Sequence, residues 1–331
     1  MEIIWNITTS NTTKMLKDKK VLVTGGAGFI GSNICKYLLE QGAYVRVLDN
    51  LITGRKSNIE PFLSHPHFEF LEGDIFDLEI CKKACQGIDY ITHQAALGSV
   101  PRSIAFPEKT NESNVTGFLN MLIAAKENNV KRFVYASSSS VYGDEPTLPK
   151  REEKIGNPLS PYAVSKYTNE LYAQVFFKTY GLETIGLRYF NVFGPNQDPE
   201  GQYAAVIPLF INNILQNKPI YINGDGSNTR DFTFVNNAVQ ANILALTTEN
   251  KAAKGEIFNV AVGENFSLND LTKAIQEILN IKAEIIHREE RAGDIKNSLA
   301  DISKITTLLK YKPSHTFIEG LKETVAYFKN L

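Results

Sequence analysis

The sequence predicts an α/β protein: a doubly wound, mostly parallel sheet with a smaller α/β C-terminal lobe. Three observations carry that expectation. A short β-branched run, Lys20-Val-Leu-Val-Thr24, gives way to glycines and then to the helix-compatible stretch Ile34 to Gln41, so strand, turn and helix follow one another. Apolar runs then alternate with helical stretches, and such alternation implies a parallel sheet covered on both faces. Beyond Asn191 the texture changes, with Gly194-Pro195, Asp198-Pro199, Pro208, Pro219 and Gly224-Asp-Gly226 punctuating shorter segments.

Residues 1–18 read as a polar extension without the apolar core that an export signal needs. After the first strand and helix, Ala43 to Leu48 supplies a second strand, completing a βαβ unit of roughly 30 residues. Phe68 to Leu71, Ile88 to Ile91, Lys131 to Tyr135 and Thr184 to Arg188 read as further strands. Glu256 to Val260 reads as one more, returning to the first sheet, which makes the lobes interleaved. The expected division is 19–190 with 229–264 for the first domain, and 191–228 with 265–331 for the second lobe.

With 331 residues, 43% hydrophobic and 21% charged, the chain has the composition of a globular protein with a sizeable core. Its 35 basic and 36 acidic residues nearly cancel, so no global field recruits nucleic acid or an anionic membrane. No stretch reaches the roughly 18 apolar residues of a membrane span. Cys35, Cys81 and Cys85 are odd in number and lack paired zinc spacing, which suits reduced thiols in a cytoplasmic protein. His65-x-His67 lacks a third ligand and His93 reads as a satisfied structural residue, so no metal is expected.

Thr24-Gly-Gly-Ala-Gly-Phe-Ile-Gly31 carries both the G-x-x-G-x-x-G and the G-x-G-x-x-G spacing where a strand gives way to a helix. Gly25, Gly28 and Gly31 let the backbone turn tightly and approach a pyrophosphate, which the helix N-terminus stabilises. That context makes the sheet Rossmann-type and the first domain a dinucleotide binder. Asp49 closes the second strand, where an acid bonds both ribose hydroxyls and repels a 2′-phosphate. NAD is therefore favoured, with Arg55 and Lys56 near enough in sequence to leave NADP open. Asp74, after the third strand, is placed for an adenine contact.

Tyr162 and Lys166 stand four residues apart behind Pro158-Leu-Ser-Pro161, a helix entry, and share one helix face. Such pairs are ordinary on helix surfaces; the glycine fingerprint upstream is what turns this one into chemistry. A phenol has a pKa near 10, so acting near neutrality needs a shift worth roughly 4 kcal/mol. A nearby ammonium and the positive charge of oxidised nicotinamide both favour phenolate. Ser137-Ser-Ser-Ser140 follows a strand, at the sheet edge where ligands bind in this fold.

Three longer stretches extend the pattern: His93-Gln-Ala-Ala-Leu-Gly-Ser-Val-Pro-Arg102, Ser160-Pro-Tyr-Ala-Val-Ser-Lys166 and Leu187-Arg-Tyr-Phe-Asn-Val-Phe-Gly194. Through them the chain, from about Lys19 on, resembles the extended short-chain dehydrogenase/reductases. Within these it is most similar to the UDP-hexose 4-epimerases, in particular the bacterial UDP-N-acetylglucosamine 4-epimerases. The resemblance implies reversible 4-epimerisation of UDP-N-acetylglucosamine and UDP-N-acetylgalactosamine through a 4-keto sugar, with UDP-glucose and UDP-galactose as further substrates. It implies catalytic Ser138, Tyr162 and Lys166. Gly25, Gly28, Phe29, Ile30, Gly31, Asp49, Asn50, Asp74, Ile75, Ala95, Asn114 and Tyr189 would join Tyr162 and Lys166 around NAD.

By the same matching, Asn191, Arg230 and Arg291 hold the nucleotide diphosphate, and Val206 and Tyr221 flank the uracil. Ser99, Ser138, Ser139, Ser140, Asp294 and Ser298 complete the substrate site. Gly98 stands where the family has a lysine near the cofactor phosphates. Ser298 falls where members restricted to non-acetylated sugars carry a tyrosine. A homodimer is implied through Asn114 to Asn128 and Tyr162 to Tyr180. UDP-glucuronate or UDP-N-acetylhexosaminuronate 4-epimerases keep a similar serine run and stay open as an alternative. Nucleotide-sugar dehydratases carry acids where this chain has Ser139 and Ser140, and a non-catalytic NAD sensor would not need Tyr162 and Lys166.

Overall fold

Within Lys20–Thr24 the side chains of Val21 and Val23 enter one core and that of Leu22 another, so this strand is covered on both faces. The computed structural model describes residues 15–200, 205–290 and 296–331. The first half runs β1 (Lys20–Thr24), α1 (Phe29–Glu40), β2 (Tyr44–Asp49), β3 (Phe68–Glu72), α2 (Leu78–Cys85), β4 (Tyr90–His93), α3 (Val100–Ala105), α4 (Pro107–Asn111), α5 (Gly117–Glu127), β5 (Arg132–Ser138), α6 (Pro161–Tyr180) and β6 (Glu183–Tyr189). There follow β7 (Val192–Phe193), α7 (Val206–Leu215), β8 (Ile220–Asn223), β9 (Thr229–Arg230), β10 (Thr233–Phe234), α8 (Val235–Thr247), β11 (Ile257–Val260), β12 (Phe266–Ser267), α9 (Leu268–Leu279), β13 (Ile285–Arg288), α10 (Ser303–Leu309) and α11 (Phe317–Lys329).

Seven strands form one sheet in the order β11-β6-β5-β4-β1-β2-β3, every pair parallel. The chain winds outward from β1 to β3, crosses back to β4, and winds outward again, so the switch point lies between β1 and β4. Open α/β sheets bind ligands outside the carboxyl ends of strands at such a point. On one face, Val21, Val23, Val45 and Val134 pack with Ile34 and Leu38 of α1 and Leu246 of α8. On the other, Leu22, Ile91 and Phe133 pack with Cys81 and Cys85 of α2, Phe118 and Leu122 of α5, and Phe176 of α6. All three cysteines are buried free thiols.

The return of β11 to the main sheet, beside β6, agrees with the strand read at Glu256 to Val260. A separate core joins Phe193, Phe210, Ile222 and Phe234 to Ile275 of α9 and to Phe317 and Phe328 of α11. The strands around it, β7 to β10 with β12 and β13, form only two-stranded pairs. Among the described residues no helix is long and apolar enough to cross a membrane.

Some boundaries differ from the expectation. The first helix begins at Phe29 instead of Ile34, because Gly28 is its extended N-cap and the fingerprint itself supplies the first turn. The fourth strand is displaced to Tyr90–His93, since Ile88 closes a turn by donating its N–H to the Cys85 carbonyl at 3.2 Å. The stretch Asn114 to Asn128 is not one regular helix: a π-turn over Glu112–Thr116 precedes α5. α6 does open as read, with the Ser160 hydroxyl accepting from the Ala163 N–H at 3.1 Å and Pro161 in the first turn. It ends at Gly181, whose φ of 73° is the left-handed cap that glycine favours.

Candidate active site

A cleft of about 880 Å³ opens over the carboxyl ends of the central strands. Its floor is the glycine turn. Gly25 has φ +68°, and a Cβ there would stand 2.6 Å from the Ala95 N, so β1 and the segment after β4 meet only because the side chain is absent. A Cβ on Gly31 would lie 2.1 Å from the Gly25 carbonyl oxygen. Gly28 caps α1 without any side chain, leaving the first-turn N–H groups uncapped. That bare helix N-terminus, lined by Gly28, Phe29, Ile30 and Gly31, has the form of a pyrophosphate cradle.

Asp49 lies at the wall beside it. One carboxylate oxygen accepts from the Ala27 N–H and the other from the Leu51 N–H, each at 2.9 Å. Burial pushes its pKa up, and these two hydrogen bonds oppose the shift. Asn50 donates to Asp74 at 2.7 Å, and Asn50, Asp74, Ile75 and Ala95 continue the wall. Arg55, which left NADP open, is paired with Asp198 at 2.6 Å. Its charge is engaged by a carboxylate that itself lines the cleft.

The acid–base candidates converge at the sheet end of the same cleft, where Ser138, Tyr162, Lys166 and Tyr189 line it. Ser138 ends β5, and its hydroxyl accepts from the Ser140 N–H at 3.1 Å. Tyr162 sits in the first turn of α6, with the Lys166 Nζ 5.9 Å from its ring centroid. Lys166 is 2% exposed and donates to the Ala136 carbonyl at 2.9 Å. Burial pushes the Tyr162 phenol up, against a hydrogen bond with Ser138. Burial brings the Lys166 ammonium down to about 8, with Glu170 opposing. Without the positive charge of oxidised nicotinamide, which the sequence reading adds to that of the lysine, burial favours the protonated phenol.

Not every expected site residue reaches the wall. Asn114 is 1% exposed, and its amide is engaged with Leu97 N–H at 2.7 Å, Leu97 carbonyl at 3.1 Å and Ser165 hydroxyl at 3.1 Å. It fastens the loop after β4 from beneath. Ser139 and Ser140 turn away in a 3-10 turn, and the Ser140 hydroxyl is buried with no hydrogen-bond partner among the described residues. His93 is satisfied, as read: its Nδ1 meets the Thr24 hydroxyl at 2.8 Å, and burial pushes its pKa to about 3.

On the substrate side, Ser99 and Asn191 line the cleft, with Gln94 and Gln197, which the sequence reading passed over. Ser99 has φ +95° and caps α3. Asn191 donates to the Asp231 carbonyl at 3.1 Å. The buried Asp231 carboxylate accepts three backbone N–H groups, from Val262 and Gly263 at 3.1 Å and Ala300 at 3.3 Å. Burial raises it to about 7 against those bonds. Arg230 donates to the Thr229 and Lys296 carbonyls. Ser298, 9% exposed, donates its N–H to the Thr229 carbonyl at 3.1 Å, so its segment runs along β9.

Tyr221 on β8 is 40% exposed, with the Arg288 guanidinium 3.6 Å from its ring centroid. Val206 opens α7. Val206, Tyr221, Arg230 and Ser298 are not among the residues lining the cleft. Arg291 and Asp294 lie outside the described residues.

Comparison with known proteins supports the fold and places the chain in a family. The model of the NAD dependent epimerase/dehydratase family matches residues 21–261. A solved UDP-N-acetylglucosamine 4-epimerase from Methanobrevibacter ruminantium, in complex with UDP-N-acetylmuramic acid, is 41% identical over 95% of this chain and 99% of its own, with a TM-score of 0.90. A UDP-glucuronic acid 4-epimerase from Bacillus cereus, solved with UDP-glucuronic acid and NAD, is 33% identical over 94% of this chain and 99% of its own, with a TM-score of 0.87. The UDP-glucose 4-epimerase of Mycolicibacterium smegmatis is 36% identical over 94% of this chain and 99% of its own.

Proposed function

The chain belongs to the NAD dependent epimerase/dehydratase family, and from that premise we propose that it interconverts UDP-N-acetylglucosamine and UDP-N-acetylgalactosamine, with UDP-glucose and UDP-galactose as secondary substrates. The observation that carries the reading is the convergence of Ser138, Tyr162 and Lys166 on a cleft floored by an uncapped, glycine-lined helix N-terminus. Its cofactor is NAD. The residues present fit that group: the glycine cradle suits the pyrophosphate, Asp49 the adenosine ribose, and the buried Lys166 ammonium the nicotinamide end. When bound, NAD supplies the hydride acceptor and donor for C4.

The rest of the reaction falls to side chains. Tyr162 takes the proton of the sugar 4-OH as the C4–H bond breaks, and returns it when that bond re-forms on the other face of the 4-keto sugar. Ser138, hydrogen-bonded to Tyr162, bridges the two oxygens. Desolvation favours the phenol, so positive charge from Lys166 and the oxidised nicotinamide has to offset it. Asn191 is tied to the Asp231 carbonyl, and Arg230 to the Thr229 and Lys296 carbonyls. From there they hold the diphosphate by charge-assisted hydrogen bonds while the keto sugar turns about it.

The small, buried Ser298 and the 41% identity to a UDP-N-acetylglucosamine 4-epimerase favour acetylated sugars. The relative solved with UDP-glucuronic acid keeps the uronate reading as the alternative. Comparing kcat/KM for UDP-N-acetylglucosamine, UDP-glucose and UDP-glucuronate decides between them. We expect the acetylated sugar to lead, and a preference for the uronate would replace this substrate choice.

We also infer a homodimer through α5 and α6. Val164, Leu171 and Val175, each about half-exposed, form one outward stripe along α6. A monomeric mass in solution would rule it out.

A further inference from the structure

Tyr162, Lys166 and Glu170 follow one another at four-residue spacing along α6, so a carboxylate lies one helical turn beyond the lysine. Glu170 is 1% exposed and held on three sides. Its Oε1 accepts from the Ser137 hydroxyl at 2.6 Å and the Arg188 Nε at 2.8 Å, and its Oε2 accepts from the Arg188 Nη2 at 2.8 Å. Arg188 is in turn fixed by the Glu152 carbonyl at 3.0 Å and by the Tyr142 ring, 4.9 Å from its guanidinium carbon. A fully buried ion pair is costly to desolvate and is weak evidence for stability by itself. Lys166 and Glu170 are both buried on one face of α6, and they bond neighbouring residues at the end of β5: the lysine donates to the Ala136 carbonyl, and the carboxylate accepts from the Ser137 hydroxyl.

We propose that Glu170 is a positioning residue for the reaction: clamped by Arg188 and Ser137 one helical turn beyond Lys166, its carboxylate holds the Lys166 ammonium in place beside Tyr162. The inference rests on Tyr162 and Lys166 being the acid–base pair. Several titratable groups face this cluster. On β5 the Tyr135 phenol is pushed well up by burial and by Glu170, and on β4 His93 is held neutral. The Tyr142 phenol is pushed up to about 12. The Glu152 carboxylate, raised by burial, turns to the Asn259 N–H at 2.8 Å. Arg188 stays charged. Lys166, at about 8, is the group in this cluster whose charge changes just above neutrality.

The sign follows. The Lys166 ammonium is lost as pH rises through its pKa, and the Glu170 charge raises that pKa. Removing the charge therefore brings the loss to lower pH. The test is the pH profile of kcat for the wild-type holoenzyme, Glu170→Gln, and the double variant Glu170→Gln/Arg188→Met. The double variant removes both charges at similar volume and guards against misfolding from an unpaired arginine. The alkaline limb is expected to move down by about one pH unit in Glu170→Gln, and in the same direction but by less in the double variant, where the opposing Arg188 charge is lost as well. A limb at the wild-type position in either folded variant overturns the proposal. Tyr162→Phe is run alongside: if it keeps turnover, the acid–base reading fails, whereas an inactive Tyr162→Phe with unshifted Glu170 variants removes only the role given to Glu170.

Discussion

Replacing Tyr162 by phenylalanine is expected to lower kcat by about 10²- to 10⁴-fold while KM changes little, the usual consequence of losing a general acid–base group. The geometry makes the substitution clean. Phenylalanine keeps the ring beside Lys166 and removes only the hydroxyl that bonds Ser138. The Lys166 hydrogen bond to Ala136 and its burial are untouched, so cofactor binding should persist. Rate measurements under saturating substrate check the outcome. Near-normal turnover would mean that another group takes the 4-OH proton.

The second large effect concerns the sugar's C2 substituent. Ser298 sits on a segment that runs along β9, next to Arg230, and is almost fully buried. An acetamido group needs room in both orientations of the keto sugar, and we propose that the small side chain of Ser298, next to Arg230, leaves it. Overfilling a packed site costs about 1–3 kcal/mol, so Ser298→Tyr should lower kcat/KM for UDP-N-acetylglucosamine and UDP-N-acetylgalactosamine about 5- to 150-fold. UDP-glucose and UDP-galactose should be spared. Equal losses across all four sugars would assign Ser298 to packing instead of selection.

Much of the cofactor half was legible in the sequence because its determinants are local. A strand, a glycine turn and a helix follow within a dozen residues, and Asp49 ends the next strand. Tyr162 and Lys166 drew notice through helical spacing read together with the glycine fingerprint upstream, and the same spacing carried one step further reaches Glu170. Its partner Arg188 was not found, since an ion pair across eighteen residues and two elements leaves no periodic trace. The substrate half was harder to read. Arg230 and Ser298 lie on two-residue or isolated pairings that exist only through tertiary contacts with one another. Asn114 was placed by a π-turn, which apolar periodicity does not announce. Desolvation of the Tyr162 phenol leaves no mark in the sequence, because it is set by the walls that tertiary packing puts around the ring.

The central claim is that one cleft removes and restores hydrogen at C4 of a UDP-sugar. The most direct measurement is incubation of the purified protein with UDP-N-acetylglucosamine deuterated at C4, followed by separation and mass and NMR analysis of the nucleotide sugars. The account predicts UDP-N-acetylgalactosamine with the deuterium still on C4, because the hydride leaves and returns to the same carbon while the O4 proton passes through Tyr162. Loss of the label to solvent, or a product altered at another carbon or lacking the elements of water, would contradict it.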